Sequence, residues 1–354
     1  MSKVIDILKK KSLPLDKFIN IALYNKEIGY YMNRNPFGKK GDYITSPLIS
    51  NLFGEMIAVW CVSYWEHLGR PKKIKVVELG PGDASLSKTL LNSFKNFKDL
   101  NKFIELILLE KSTFLKKLQR IKLKNEKVRW VKNLNQIKTG PIIFLGNEFF
   151  DALPIKQIHN ERNLYMEKYV AFSKKNKKVE FVYKKLEKKL IQKIKKLKLI
   201  NKGNFIEYPI KSIEYLETIA KKIKRHGGGM LTFDYGYTKY KNRNTLQSVK
   251  KHKYTNILFN PSNADITSEI NFTLFSKVLK KNGLNVKKVV TQNEFLQRLG
   301  IIERANILAK NKNFKDKADL YYRLRRLLDY KEMGHLFKVL FAQKKNTKFS
   351  LGFL

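Results

Sequence analysis

Between residues 74 and 79 the chain is apolar and largely β-branched, broken only by Lys75 and Glu78, and the run stops at Gly80-Pro81-Gly82. A short apolar run closed by turn residues predicts a strand buried on both faces. Beyond the turn Leu86, Leu90, Leu91, Phe94 and Phe97 recur at helical spacing, which predicts a helix. The same alternation continues down the chain. Strands are predicted over 104–109, 127–131, 141–146, 230–233, 286–290 and 336–341. Helices are predicted over 111–123, 210–224 and 269–281, with two or three more between 293 and 328. Buried strands alternating with amphipathic helices predict an α/β fold with a seven-stranded, doubly wound Rossmann-like sheet.

Two regions break the pattern. Residues 155–208 carry three short runs that alternate polar and apolar side chains, predicting a small antiparallel β insertion, followed by a basic helix over 186–199. Residues 1–70 predict a helical extension: an amphipathic turn or two over 15–22, a loop over 29–47, and a long apolar helix over 48–65. The loop holds Tyr30, Tyr31, Phe37 and Tyr43 among its glycines and prolines. Aromatics in such a loop need something to cover. That can be their own domain or a ligand, in which case Asp42, Thr45 and Ser46 supply polar contacts. The main domain is then 71–354, with the insertion at about 155–208.

The strand, glycine turn and helix around Gly80 form the ligand-binding half of a βαβ unit, where bare backbone approaches a ligand at the carboxyl edge of a sheet. A dinucleotide fingerprint needs a third glycine at position 85, which is Ser85. Glu78, two residues before the first glycine, would repel a pyrophosphate and attract a sulfonium or ammonium. Glu110 ends the next strand, where a carboxylate accepts from ribose hydroxyls. A nucleoside carrying a cation in place of phosphates is S-adenosylmethionine. Asn133, after the third strand, is placed to meet an adenine amino group. After the strand at 141–146, Asn147, Glu148 and Asp151 stand with Phe149 and Phe150 at the edge that borders the reacting centre, and Asp234 ends the fifth strand on the same edge. Helix capping by Asn147 or Asp151 is the structural alternative.

Apolar content of 43% and 12% aromatics exclude a disordered chain. One cysteine, Cys61, excludes a disulfide framework, and five histidines without metal-ligand spacing argue against a metal. No apolar run reaches the roughly 20 residues of a membrane span, and no signal-peptide core is seen at the amino terminus, so a cytoplasmic protein is expected. The net charge of +43 points to a polyanion or acidic partner. Yet only 12 of the 73 basic residues are arginine and they do not cluster. Nucleic acid therefore stays open without being favoured.

The motifs taken in order resemble a known family. GYY with FGKKGDYITSPLISNLFGEMIAVW, then VVELGPG, LLEKS, GNEFFDALPIKQ, TFDYGY, LQSVKKHKYTNILFNPSNADITSEINF, TQNEFLQRLG and MGHLFKVL are similar to the MidA family, that of the mitochondrial complex I assembly factor and its bacterial relatives. The resemblance implies a seven-stranded S-adenosylmethionine-dependent methyltransferase whose acceptor is a protein arginine, in a subunit of NADH dehydrogenase (respiratory complex I). It implies a cofactor site of Glu78, Gly80, Gly82, Glu110, Asn133 and Asn147, closed by Gly41, Asp42, Thr45 and Ser46. Glu148, with Asp151 or Asp234 as second carboxylate, would hold the acceptor and take its proton. Ala84, Asn133 and Ser262 depart from the family pattern: the small Ala84 keeps the close backbone approach, and Asn133 in place of a carboxylate weakens the adenine contact. A bacterial cytoplasm, or the mitochondrial matrix in a eukaryote, is the implied compartment, and a homodimer is an open alternative to a monomer. An RNA methyltransferase and a cofactor-binding assembly factor without turnover are the competing functions. A dinucleotide-dependent oxidoreductase is disfavoured by Ser85 and Glu78.

Overall fold

The structure is a computed structural model and describes residues 3–38, 41–162, 164–199, 204–239, 242–259 and 261–354. Small parts of the expected loop (39–40), insertion (163 and 200–203) and the 246–272 motif (260) lie outside the described residues.

Numbering only the main strands of the central sheet, β1 is Ile74–Leu79, β2 Ile104–Leu109, β3 Val128–Val131, β4 Ile142–Asn147, β5 Gly228–Tyr237, β6 Leu284–Val286 and β7 Phe337–Lys344. Their order is β3-β2-β1-β4-β5-β7-β6. The first five are parallel, and β7 runs antiparallel to both of its neighbours. The order reverses between β1 and β4, which puts a crevice outside the carboxyl ends of those two strands.

Alternation within each strand sends side chains to both faces. Val76 of β1 and Ile143 of β4 join one buried cluster, and Val77 and Phe144 join the other. Helices α1 (Asn51–His67) and α2 (Ser85–Phe94) cover the first face. Helix α4 (Ile210–His226) packs on the second, and α3 (Thr113–Lys122) links β2 to β3.

A third cluster is the departure from expectation. The amino-terminal helices Lys3–Lys10 and Leu15–Tyr24 do not stand apart as an extension: Val4, Phe18, Leu23 and Tyr30 pack with Ile155, Val170 and Ile266. Leu13–Pro14 pairs with the inserted strand Leu164–Ser173, and Lys156 of the insertion meets Asp16 at 2.9 Å and also Glu167. The insertion is antiparallel as expected. It is completed by Phe205–Tyr208, which the pattern did not reveal.

Other differences are local. The helix expected over 48–65 breaks at Ser50, which takes an extended backbone and caps α1 by accepting from the Leu52 amide. The strand expected over 286–290 divides into Leu284–Val286 and Val290–Thr291. The helix expected from 269 begins at Phe272, with Asn271 as its cap. A three-stranded sheet of Gln247–Lys250, Lys253–Thr255 and Asp265–Thr267 was not anticipated.

Candidate active site

A cavity of about 370 Å³ opens at the crevice between β1 and β4. At one end it is walled by residues that follow β1, β2 and β3. Gly80 and Gly82 have φ of +61° and +55°, a region side chains rarely adopt. An added Cβ would lie 2.8 Å from the Phe149 ring at Gly80, and 2.8 Å from the Phe37 ring at Gly82. The turn is therefore bare backbone enclosed by two aromatic rings, one from the loop after β4 and one from the amino-terminal loop.

Glu78 and Glu110 both line this end. Glu78 is buried and accepts from the Ser87 hydroxyl, and burial pushes its carboxyl up to about 7. Glu110 accepts from the Ser112 amide at 2.7 Å and from Gln119 Nε2 at 2.9 Å, while burial raises its carboxyl. Gln119 was missed by sequence reasoning because it reads as one polar residue of an amphipathic helix. Its amide also donates to the Gly82 carbonyl at 2.8 Å and its oxygen accepts from Trp130 Nε1 at 2.9 Å. One buried side chain thus ties the glycine turn to the carboxylate of β2. Asn133 lines the cavity, but its side-chain oxygen is committed to capping the Leu134–Gln136 turn.

The rest of the lining includes Tyr24, Tyr31, Tyr43 and Thr45 of the amino-terminal segment, Asn147 at the end of β4, and Glu148 and Ala152–Pro154 after it. No helix begins between 148 and 155, so capping does not explain the polar residues there. Glu148 holds φ of +50°, a strain of about 1–2 kcal/mol for a residue with a Cβ. Its Oε1 accepts from Asn147 Nδ2 at 3.0 Å and the Ser46 amide at 3.4 Å, and burial pushes its carboxyl up to about 7. Asn147 Oδ1 and Asp151 Oδ1 are buried without a hydrogen-bond partner.

The remaining expected residues act behind the wall. Gly41 and Asp42 do not line the cavity. Gly41 sits in a tight turn where a Cβ would meet the Pro36 carbonyl, and Asp42 accepts from the Tyr30 hydroxyl at 2.5 Å and the Lys251 amide at 2.7 Å. Ser46 is fully buried and serves Glu148 rather than a ligand. Asp151 is also outside the wall, its side chain buried and raised by burial first and then by Asp234.

Asp234, expected to face the acceptor, is fully buried and accepts from the amides of Phe150, Asp151 and Tyr235 at 3.0–3.2 Å. It holds the loop that presents Glu148. Asp234→Ala would remove the acceptor of two buried amides and one half-buried amide and is expected to destabilise the fold by about 3 kcal/mol, measured as a shifted urea midpoint at constant m-value.

Several buried carboxyls here sit near 7, above their unfolded values near 4. Between those limits the folded chain binds more protons than the unfolded one, so ligand-free stability falls as pH rises from about 4.5 to 7. Thermal melts over that window should show a falling Tm, and Glu78→Gln should flatten the slope.

The donor set suits a nucleoside that carries a cation. Two buried carboxylates, Glu78 and Glu110, line the cavity together with the glycine turn and would repel a pyrophosphate, with Lys111 and Lys132 also in the lining. Sheet order and site together are those of methyltransferases that use S-adenosylmethionine. The comparisons agree. The model of a family described as "Putative S-adenosyl-L-methionine-dependent methyltransferase" matches residues 56–290, and the chain belongs to that family. The Caenorhabditis elegans mitochondrial homolog of protein arginine methyltransferase NDUFAF7 is 30% identical over 94% of this chain and 84% of its own length. The Homo sapiens protein of that name is 27% identical over 90% of this chain and 78% of its own length. A crystal structure of a Burkholderia thailandensis protein bound to S-adenosyl-homocysteine superposes with a TM-score of 0.82 at 21% identity, covering 96% of this chain and 90% of that one. The protein is an S-adenosylmethionine-dependent methyltransferase.

Proposed function

We propose that the acceptor is an arginine side chain of a protein substrate, a subunit of NADH dehydrogenase, and that the modification supports assembly of that complex. The observation that carries the arginine reading is the second end of the cavity. There the strained Glu148 carboxylate lines the cavity beside Asn147, whose side-chain oxygen is buried without a partner among the described residues. The lysines of the lining, Lys111, Lys132 and Lys211, follow β2, follow β3 and sit on α4, respectively. A guanidinium offers five N–H donors and no acceptor, so it matches a wall of oxygens. The curated relatives carry the name protein arginine methyltransferase, and the family resemblance supplies the complex I subunit. By the same reading the protein works in a bacterial cytoplasm or, in a eukaryote, in the mitochondrial matrix.

The bound cofactor supplies an electrophilic methyl group. Glu78 and Glu110 orient it, the aromatic rings of Phe37 and Phe149 exclude water from the glycine turn, and Glu148 holds the guanidinium in line for attack. Guanidinium meets the site as a cation, since its pKa exceeds ~12. Glu148 must therefore be ionised to bind it, and it receives the proton as the nitrogen gains its fourth bond. Because burial pushes that carboxyl up to about 7, kcat/KM should rise with pH up to about 7 and then level. A profile flat from pH 5.5 to 8 would remove Glu148 from this role.

The direct test is mass spectrometry of complex I subunits from cells with and without the gene. Loss of a methylarginine that wild type restores establishes the reading. An unchanged subunit set together with a missing methyl mark on RNA would replace it with an RNA methyltransferase. No change in either would leave a cofactor-binding assembly factor.

A further inference from the structure

Resting on the arginine reading, the tyrosines in the acceptor wall carry it one step deeper. The Tyr43 hydroxyl donates to the Tyr31 hydroxyl at 3.3 Å, and Tyr31 donates to Asp265 Oδ1 at 2.7 Å. Tyr24, stacked on Tyr31 with ring centroids 5.6 Å apart, donates its proton to the Ala152 carbonyl at 2.9 Å. A phenol has one proton and two lone pairs. With Asp265 accepting, the Tyr31 proton is committed to it and the Tyr43 proton is committed to Tyr31, so the chain runs in one direction. All three rings line the cavity, and none of the three hydroxyls keeps a proton for a ligand. Each offers lone pairs only.

Asp265 itself is 4% exposed. Among the described residues it has no ion-pair partner closer than 4 Å; the hydrogen bonds it receives come from the neutral Tyr31 hydroxyl and the Ile266 amide. A buried carboxylate without a cation is costly, and a cationic ligand arriving beyond Tyr31 and Tyr43 relieves that cost.

We propose that Asp265 is a positioning residue: through Tyr31 and Tyr43 it fixes the direction of the hydrogen-bond chain, so that the acceptor end selects a donor-only cation, guanidinium, over a neutral isostere. It touches no substrate. Its effect is carried by the two hydroxyls in front of it.

The test uses the full chain loaded with S-adenosylhomocysteine and titrated, by NMR or calorimetry, with Nα-acetyl-arginine N-methylamide and with its citrulline counterpart. Citrulline keeps the shape and replaces the cation by a neutral urea that carries an acceptor oxygen. Wild type is expected to prefer arginine by at least about tenfold, the scale of one charge-assisted hydrogen bond. Asp265→Asn and Tyr31→Phe should each remove most of that preference by weakening arginine alone, with S-adenosylhomocysteine affinity unchanged. The double variant should be no worse than either, because both changes break one chain. If arginine preference survives in both variants, or if arginine, citrulline and S-adenosylhomocysteine all weaken together, the inference is overturned while the arginine reading stands. If wild type itself shows no preference, the arginine reading falls and takes the inference with it.

Discussion

Glu148→Gln should bind S-adenosylmethionine within about twofold of wild type and lose turnover by 10²–10⁴, the range spanned by removing a positioned general base. The two effects separate because Glu148 follows β4, whereas Glu78 lies on β1 and Glu110 follows β2. The amide keeps an oxygen for the Ser46 amide and the Asn147 side chain, so the loop should hold its shape. What it loses is the charge that attracts a guanidinium and the oxygen that receives its proton. Glu148→Gly sharpens the test. It removes the same group and also relieves the φ of +50°, so it should be at least as stable as wild type while inactive. Isothermal titration of the cofactor, a urea curve and a methyl-transfer assay on one preparation check all three. Near-normal turnover in the glutamine variant would assign the proton to another group.

Gly82→Val should abolish cofactor binding, by more than about 100-fold, and lose activity with it. The substitution asks a β-branched residue to adopt φ of +55° and pushes its side chain into the Phe37 ring, where even a Cβ would be 2.8 Å away. Either the turn moves out of its approach to the ligand or the loop carrying Phe37 is displaced and the site opens. Gly82→Ala meets the same backbone demand with less bulk and should lie between. Cofactor affinity from titration, with far-UV circular dichroism to confirm the fold, decides it; full affinity in the valine variant would mean that the turn is only structural.

The sheet was legible because its first five strands are parallel and buried on both faces, which writes each as an apolar run with a turn at its end. Glu78, Gly80, Gly82 and Glu110 were legible for the same reason: a ligand site at a switch point is anchored to strand ends. The carboxylates were harder. A sequence shows that Asp42 and Asp234 stand at an edge; it does not show which way they point. Asp42 turned toward the turn after the Gln247–Lys250 strand and Asp234 toward the amides of the loop that presents Glu148. Asp265 fell inside one of the family motifs, but its partner could not be read, since it lies in a three-residue strand and meets Tyr31 across 234 positions of sequence. The Phe205–Tyr208 strand was invisible because four residues at the edge of a small sheet make too short a pattern to read.

The two ends of the cavity have different origins in the chain. The cofactor wall comes mainly from residues 78–135, one local stretch of the sheet, while the tyrosines of the acceptor wall are fixed by the third buried cluster, which joins the amino-terminal helices to the insertion and to Ile266. Mutation can therefore rewrite what is methylated with little change to how the methyl donor is held, Phe37 being the ring that packs on this cluster and also covers Gly82. Over evolutionary time the sheet half answers to one invariant small molecule, and the helices and inserted strands answer to whatever protein partner a lineage needs. Descendants with a changed clientele should diverge around Tyr24, Tyr31 and Asp265 and keep the stretch around Gly80 nearly still.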